Sequence, residues 1–89
     1  MTVHTSKAVT VRYFAAVREA LGTASEQVQT GADTVEGLRD ELRARGGTWA
    51  EQLAPDKAVR VALNQTMLRD DKPLADADEV AFFPPVTGG

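Results

Sequence analysis

Hydrophobic and polar side chains alternate over Ala8–Ala15, A-V-T-V-R-Y-F-A, which puts Val9, Val11 and Tyr13 on one face of an extended segment and Thr10, Arg12 and Phe14 on the other. That period of two predicts a strand. It breaks at Arg18-Glu19-Ala20-Leu21, one helical turn that Gly22 closes, because glycine enters the left-handed conformation that ends helices without steric cost. Ser25–Thr30 predicts a second strand. Val35, Leu38 and Leu42 then recur on a single helical stripe, so Thr34–Arg45 is expected as the one long helix, with Asp33 as its cap, Glu36 as the capping-box partner and Gly46-Gly47 as its stop. Glu41 and Arg45 are spaced for a weak surface ion pair, and the polar face of this helix is expected in solvent.

Trp49–Leu53 predicts a short helical segment before Pro55, after which Val59, Val61 and Leu63 alternate as a third strand. Asn64-Gln65 turns the chain back into a short return strand, Thr66–Leu68. Lys72-Pro73 and Asp76-Ala77-Asp78 mark surface turns, and Glu79–Phe83 is the last strand. One long helix for several short strands predicts an α+β roll, with a sheet of about five strands covered on one face by that helix and short helical turns. The other face should be polar unless it meets a partner.

Eighty-nine residues suffice for one domain, 1–89, with residues 1–7 as a polar arm ahead of the first periodic pattern. Of the residues, 43% are hydrophobic, but 14 of these are Ala, so the core is modest and exposed large side chains call for a reason. A net charge of −3 argues against nucleic acid as a partner. With no Cys there is no disulfide, thiolate zinc site or persulfide, and no stretch approaches the ~20 apolar residues of a membrane span, which makes the cytosol the expected location. The one His, His4, sits in the arm, so no proton shuttle or hydrolase triad is visible. The acids Asp70, Asp71, Asp76, Asp78 and Glu79 lack calcium-loop spacing and read as turn acids, and the glycines assemble no phosphate-binding loop. No metal site is expected.

The distinctive chemistry lies at the end, Phe82-Phe83-Pro84-Pro85-Val86-Thr87-Gly88-Gly89. Two consecutive prolines remove backbone donors and fix φ, so the strand stops and residues 84–89 should leave the sheet as an extended tail. Gly88 and Gly89 have no side chains, so such a tail fits a channel too narrow for a Cβ, with the carboxylate of Gly89 at its tip. Phe14 is out of phase with Val9, Val11 and Tyr13, and Phe83 with Val80 and Phe82. Both rings should therefore point away from the helix-covered face and meet if their strands are neighbours, with Met67 as a third member. An apolar patch of this kind marks an interface.

The motifs V-R-Y-F-A-A-V-R-E-A-L-G (11–22), T-V-E-G-L-R (34–39), A-L-N-Q-T (62–66) and D-E-V-A-F-F-P-P-V-T-G-G (78–89) resemble the ubiquitin-like β-grasp sulfur carriers, in particular those that serve as the small subunit of molybdopterin synthase. The resemblance covers nearly everything after residue 7. It implies a β-grasp fold, no permanently bound cofactor and no catalysis by the chain itself. It further implies that Gly89 is adenylated at the expense of ATP by a partner activating enzyme, converted to a thiocarboxylate, and inserted into the large subunit of the synthase, where it sulfurates a pyranopterin precursor within a heterotetramer. Pro84, Pro85, Val86, Thr87 and Gly88 become the inserted tail, and Phe14, Met67 and Phe83 the docking surface. Arg12, Arg18 and the Asp70-Asp71 pair are candidates for polar contacts at its rim. A bare Gly-Gly end is shared by carriers of thiamin or transfer-RNA thiolation pathways and by protein modifiers, which are the alternative readings.

Overall fold

The computed structural model describes residues 6–84. Five strands and three helices follow in the order β1 Lys7–Tyr13, α1 Ala15–Leu21, β2 Ser25–Thr30, α2 Val35–Arg43, α3 Gly47–Gln52, β3 Arg60–Leu63, β4 Thr66–Met67 and β5 Glu79–Phe83. The strands form one mixed sheet in the order β2-β1-β5-β3-β4. β1 is antiparallel to β2, β5 is antiparallel to β3, and the central pair β1–β5 is parallel, with Tyr13 opposite Phe82.

The alternation along β1 and β5 sorts their side chains as their phase requires. Val9, Val11, Tyr13, Val80 and Phe82 are buried and join Val17, Val28, Val35, Leu38, Leu42, Leu53 and Leu74 in one core between sheet and helices. Tyr13 is the hub of the aromatic part, edge-on to Trp49 at 5.4 Å and stacked with Phe82 at 6.2 Å. The turn Asn64-Gln65 takes positive φ at both residues, 48° and 70°, the left-handed conformation of a tight hairpin turn, and returns the chain as β4.

Several expected boundaries shift. Lys7, read as the end of the arm, opens β1 opposite Thr30, and its Nζ donates to the Ala32 carbonyl at 2.9 Å. The helix closed by Gly22 begins at Ala15 rather than Arg18, while Gly22 is the left-handed cap with φ 74°. Ala15, the first residue of α1, has φ 52°, and β1 has ended two residues earlier at Tyr13. α2 is capped by Thr34, whose Oγ1 accepts from the Gly37 N–H, not by Asp33, which lies one residue too far out. Its Glu36 N–H is satisfied by Asp71, from a loop distant in sequence. The Glu41–Arg45 pair does not form. Arg45 binds Glu26 through two hydrogen bonds of 2.9 and 3.1 Å, and Glu41 accepts from the Thr30 hydroxyl. Nor is the polar face of α2 wholly in solvent: Arg39 is buried, and its guanidinium donates to the carbonyls of Leu53, Ala54 and Lys57.

Candidate functional site

The helices cover one face of the sheet, and the candidate docking residues Phe14, Met67 and Phe83 lie on the other. In a parallel pair both strands end at the same edge. With Tyr13 opposite Phe82, the next residues, Phe14 and Phe83, emerge side by side, and the Phe14 N–H still donates to the Phe82 carbonyl at 3.1 Å. Their rings stack with centroids 4.7 Å apart and planes within 8° of parallel. Offset aromatic pairs at such separations add stabilisation beyond the area they bury. Each ring hides part of the other, so both are half-buried, whereas Met67 on the edge strand β4 is 48% exposed.

Between the stacked rings and Met67 lies a depression of about 300 Å³. Its floor is Ala62 and Ala81, opposite one another on β3 and β5, and its rim is Arg12, Gln65 and Glu79. Both alanines are buried without facing the helices, since their small side chains sink between larger neighbours. The reading of the sequence missed them. The signal was there, because Ala81 shares the phase of Phe83 and a small residue in that phase leaves room for an incoming side chain.

Pro84 directly follows the stacked Phe83 and is half-buried. Pro85, Val86, Thr87, Gly88 and Gly89, like His4 in the arm, lie outside the described residues. Of the polar candidates, Arg12 stands on the rim, 3.6 Å from Glu79, with its guanidinium over the Phe14 ring. Arg18 is exposed on α1 and does not line the depression. Asp70 and Asp71 are not on this rim either. They line a separate groove between α2 and β3, together with Arg39, Arg60 and Arg69. Asp71 and Asp78 behave as turn acids, accepting from the Lys72 N–H and the Ala75 N–H respectively; Asp76 instead accepts from the Ala8 N–H, far away in sequence, and Glu79, also read as a turn acid, stands in β5 beside Arg12.

The titrations that the fold perturbs lie on the far side of the sheet. Burial pushes the Tyr13 phenol up, reinforced by its hydrogen bond to Glu26 and by the charge of that carboxylate. Burial alone would raise the Glu26 carboxyl, but the hydrogen bonds from Arg45 and Tyr13 and the charge of Arg45 outweigh it and hold the carboxyl below its ordinary value. This cluster ties β1, β2 and the end of α2 together and does not reach the depression. Among the described residues there is no group of His, Cys, Asp or Glu able to hold a metal ion, and no helix is long and apolar enough to cross a membrane.

A mixed five-stranded sheet with its helices on one side and an aromatic patch on the other, at the edge where the last strand ends, is the ubiquitin-like β-grasp of small carrier and modifier proteins. Residues 11–89 match the ThiS family, and the chain belongs to it. The molybdopterin synthase sulfur carrier subunit of Escherichia coli K12 is 48% identical over 81 residues, covering 91% of this chain and 99% of that protein. Among solved structures, the Haloferax volcanii HVO 2177 protein superimposes with a TM-score of 0.80 at 30% identity, over 94% of this chain and 88% of its own. SAMP1 of the same organism, a small archaeal modifier protein, does so with a TM-score of 0.76 at 26% identity, over 92% and 99%.

Proposed function

We propose that this chain is a cytosolic sulfur carrier in molybdenum cofactor biosynthesis, the small subunit of a molybdopterin synthase, and that its reactive group is the carboxylate of Gly89. The observation that carries the reading is the parallel β1–β5 register. It sets the apolar patch of Phe14, Phe83 and Met67 beside Pro84, where the chain leaves the sheet, so that a protein gripping the patch also receives the tail. The 48% identical relative supports the pathway.

A terminal carboxylate, with a pKa of about 3.5, is anionic at neutral pH and resists attack by sulfur. Activation removes that barrier: a carboxylate oxygen of Gly89 attacks the α-phosphorus of ATP, and pyrophosphate leaves. The terminal sulfur of a donor persulfide then attacks the acyl carbon and AMP leaves, and a thiol of the donor system cleaves the S–S bond of the resulting acyl disulfide, which yields the thiocarboxylate and leaves the donor sulfur in a disulfide with that thiol. ATP and the activating enzyme's residues do this work; the carrier contributes the acyl group and the handle. In the large subunit the thiocarboxylate sulfur attacks the precursor, water then cleaves the acyl–sulfur bond so that the sulfur stays on the precursor and the Gly89 carboxylate is returned, and any acid or base needed there comes from that subunit. Residues 84–89 are the segment that this reading inserts into the large subunit, and Gly88 and Gly89, which lack a Cβ, are the residue type that a channel too narrow for a side chain demands.

Mass spectrometry of the chain after incubation with the activating enzyme, ATP and a sulfur source should show replacement of one terminal oxygen by sulfur. Failure to form it would sink the reading. The likeness to SAMP1 favours one rival, a protein modifier joined through Gly89 to lysines. That rival would appear instead as covalent adducts to other proteins. For the docking surface, Phe83→Ala should weaken binding to the large subunit by about 2 kcal/mol, as expected of a buried aromatic anchor, with the fold kept but thermal unfolding lowered by loss of the stack on Phe14. An unchanged affinity would place the interface elsewhere.

A further inference from the structure

One residue at the depression is not explained by the apolar character of its neighbours. Arg12 projects from the open face of β1 beside two phenylalanines and a methionine, and its guanidinium is placed rather than loose, 5.3 Å above the Phe14 ring. We propose that Arg12 recognises a carboxylate on the protein that docks here, an acidic side chain set beside the apolar group that enters the depression between Phe83 and Met67. This rests on the docking reading above and adds the chemistry of the partner.

The chain's other structurally engaged arginines are already committed: Arg39 to three backbone carbonyls, Arg45 to Glu26 and the Trp49 ring, and Arg43 to Asp40 at 3.1 Å. Arg12 differs. Its one ionic neighbour, Glu79, is 3.6 Å away, too far for a hydrogen bond, and among the described residues its fork of N–H donors is not taken up. Its side chain is 46% exposed against 28% for Glu79, so an approaching group meets the cation first. Stacking on Phe14 thus holds the guanidinium in position, so a bidentate carboxylate can be received with little ordering cost. An exposed pair such as Arg12–Glu79 is worth at most about 1 kcal/mol and is easily given up. The net charge of −3 adds direction, since an acidic partner gains no long-range attraction from the chain as a whole and is drawn in locally, where Arg12 stands over the patch.

The test measures the affinity of the full chain for its cognate large subunit by calorimetry at low and high salt, after thermal unfolding has shown each variant folded. Arg12→Gln should weaken binding roughly five- to tenfold at low salt and flatten the salt dependence, and Arg12→Lys, which keeps the charge but loses the fork, should fall between. Glu79→Gln should tighten binding, because it removes the carboxylate that competes for Arg12. Affinity that is unchanged or improved in Arg12→Gln overturns the proposal. So does weaker binding in Glu79→Gln, which would mean that the partner supplies a cation to Glu79. Phe83→Ala separates the two claims: if it has no effect, the docking reading itself fails; if it weakens binding and the Arg12 variants do not, the patch stands and the carboxylate is refuted.

Discussion

At Glu26 two separate segments converge on one carboxylate: Tyr13 from β1 donates to Oε2 at 2.8 Å, and Arg45, beyond the end of α2, donates to both oxygens. The sequence spacing pointed Arg45 at Glu41 instead, because pairs four apart on a helix are the local default. That default lost because α2 ends at Arg43, which frees Arg45 to swing over Trp49 at 4.3 Å and reach β2. The consequence is measurable. The folded state holds the Glu26 carboxyl below its ordinary value, so its contribution to stability is fully present above the unfolded-state pKa and is lost as pH falls through the lower folded one. Glu26→Gln should therefore be less stable than the parent at pH 7, with the gap narrowing below about pH 4 as the parent carboxyl takes up its proton. Urea unfolding across that range checks it, and a gap independent of pH would mean that the interaction is not ionic.

Elements with a strong period were legible. β2 and β5 fall where the alternation put them, and the stripe of Val35, Leu38 and Leu42 is buried as a helix face. Termini were not, because a cap depends on a single dihedral angle and on partners far away in sequence. Thr34 rather than Asp33 holds the extended conformation just before α2, while the Asp33 carbonyl accepts from the Leu74 N–H. Thr34→Ala should accordingly cost about 1 kcal/mol, the usual value of a lost N-cap. Asp33→Ala, whose carboxylate is 98% exposed and 3.8 Å from Lys7, should stay within about 0.5 kcal/mol of the parent. Chemical denaturation of the two variants side by side decides which residue is the cap. The early start of α1 was hidden because Ala15 and Ala16 carry no periodic signal and only Val17 of the helix is buried.

Across the molecule, every member of the core cluster among the described residues lies between Val9 and Phe82. A chain lengthened by one residue after Gly89 should unfold at the parent temperature yet form no thiocarboxylate, since the Gly89 carboxyl becomes a peptide carbonyl and the free carboxylate stands one residue beyond the Gly-Gly end. Parent-level sulfur loading of the lengthened chain, followed by mass, would contradict the proposed chemistry. The terminal motif, the missing Cys, the phase of Phe14 and Phe83 and the order of elements could all be read from residues alone, because a period of two, a Pro-Pro stop and a Gly-Gly end are local and need no partner. What no local pattern could fix is which strands become neighbours. The parallel pairing of β1 with β5 joins the two ends of the described chain, brings Phe14 onto Phe83, sinks Ala62 and Ala81 into a floor and sets Arg12 on the rim. Those contacts depend on long-range closure that folding enforces through the shared core, and there the tertiary structure alone decided.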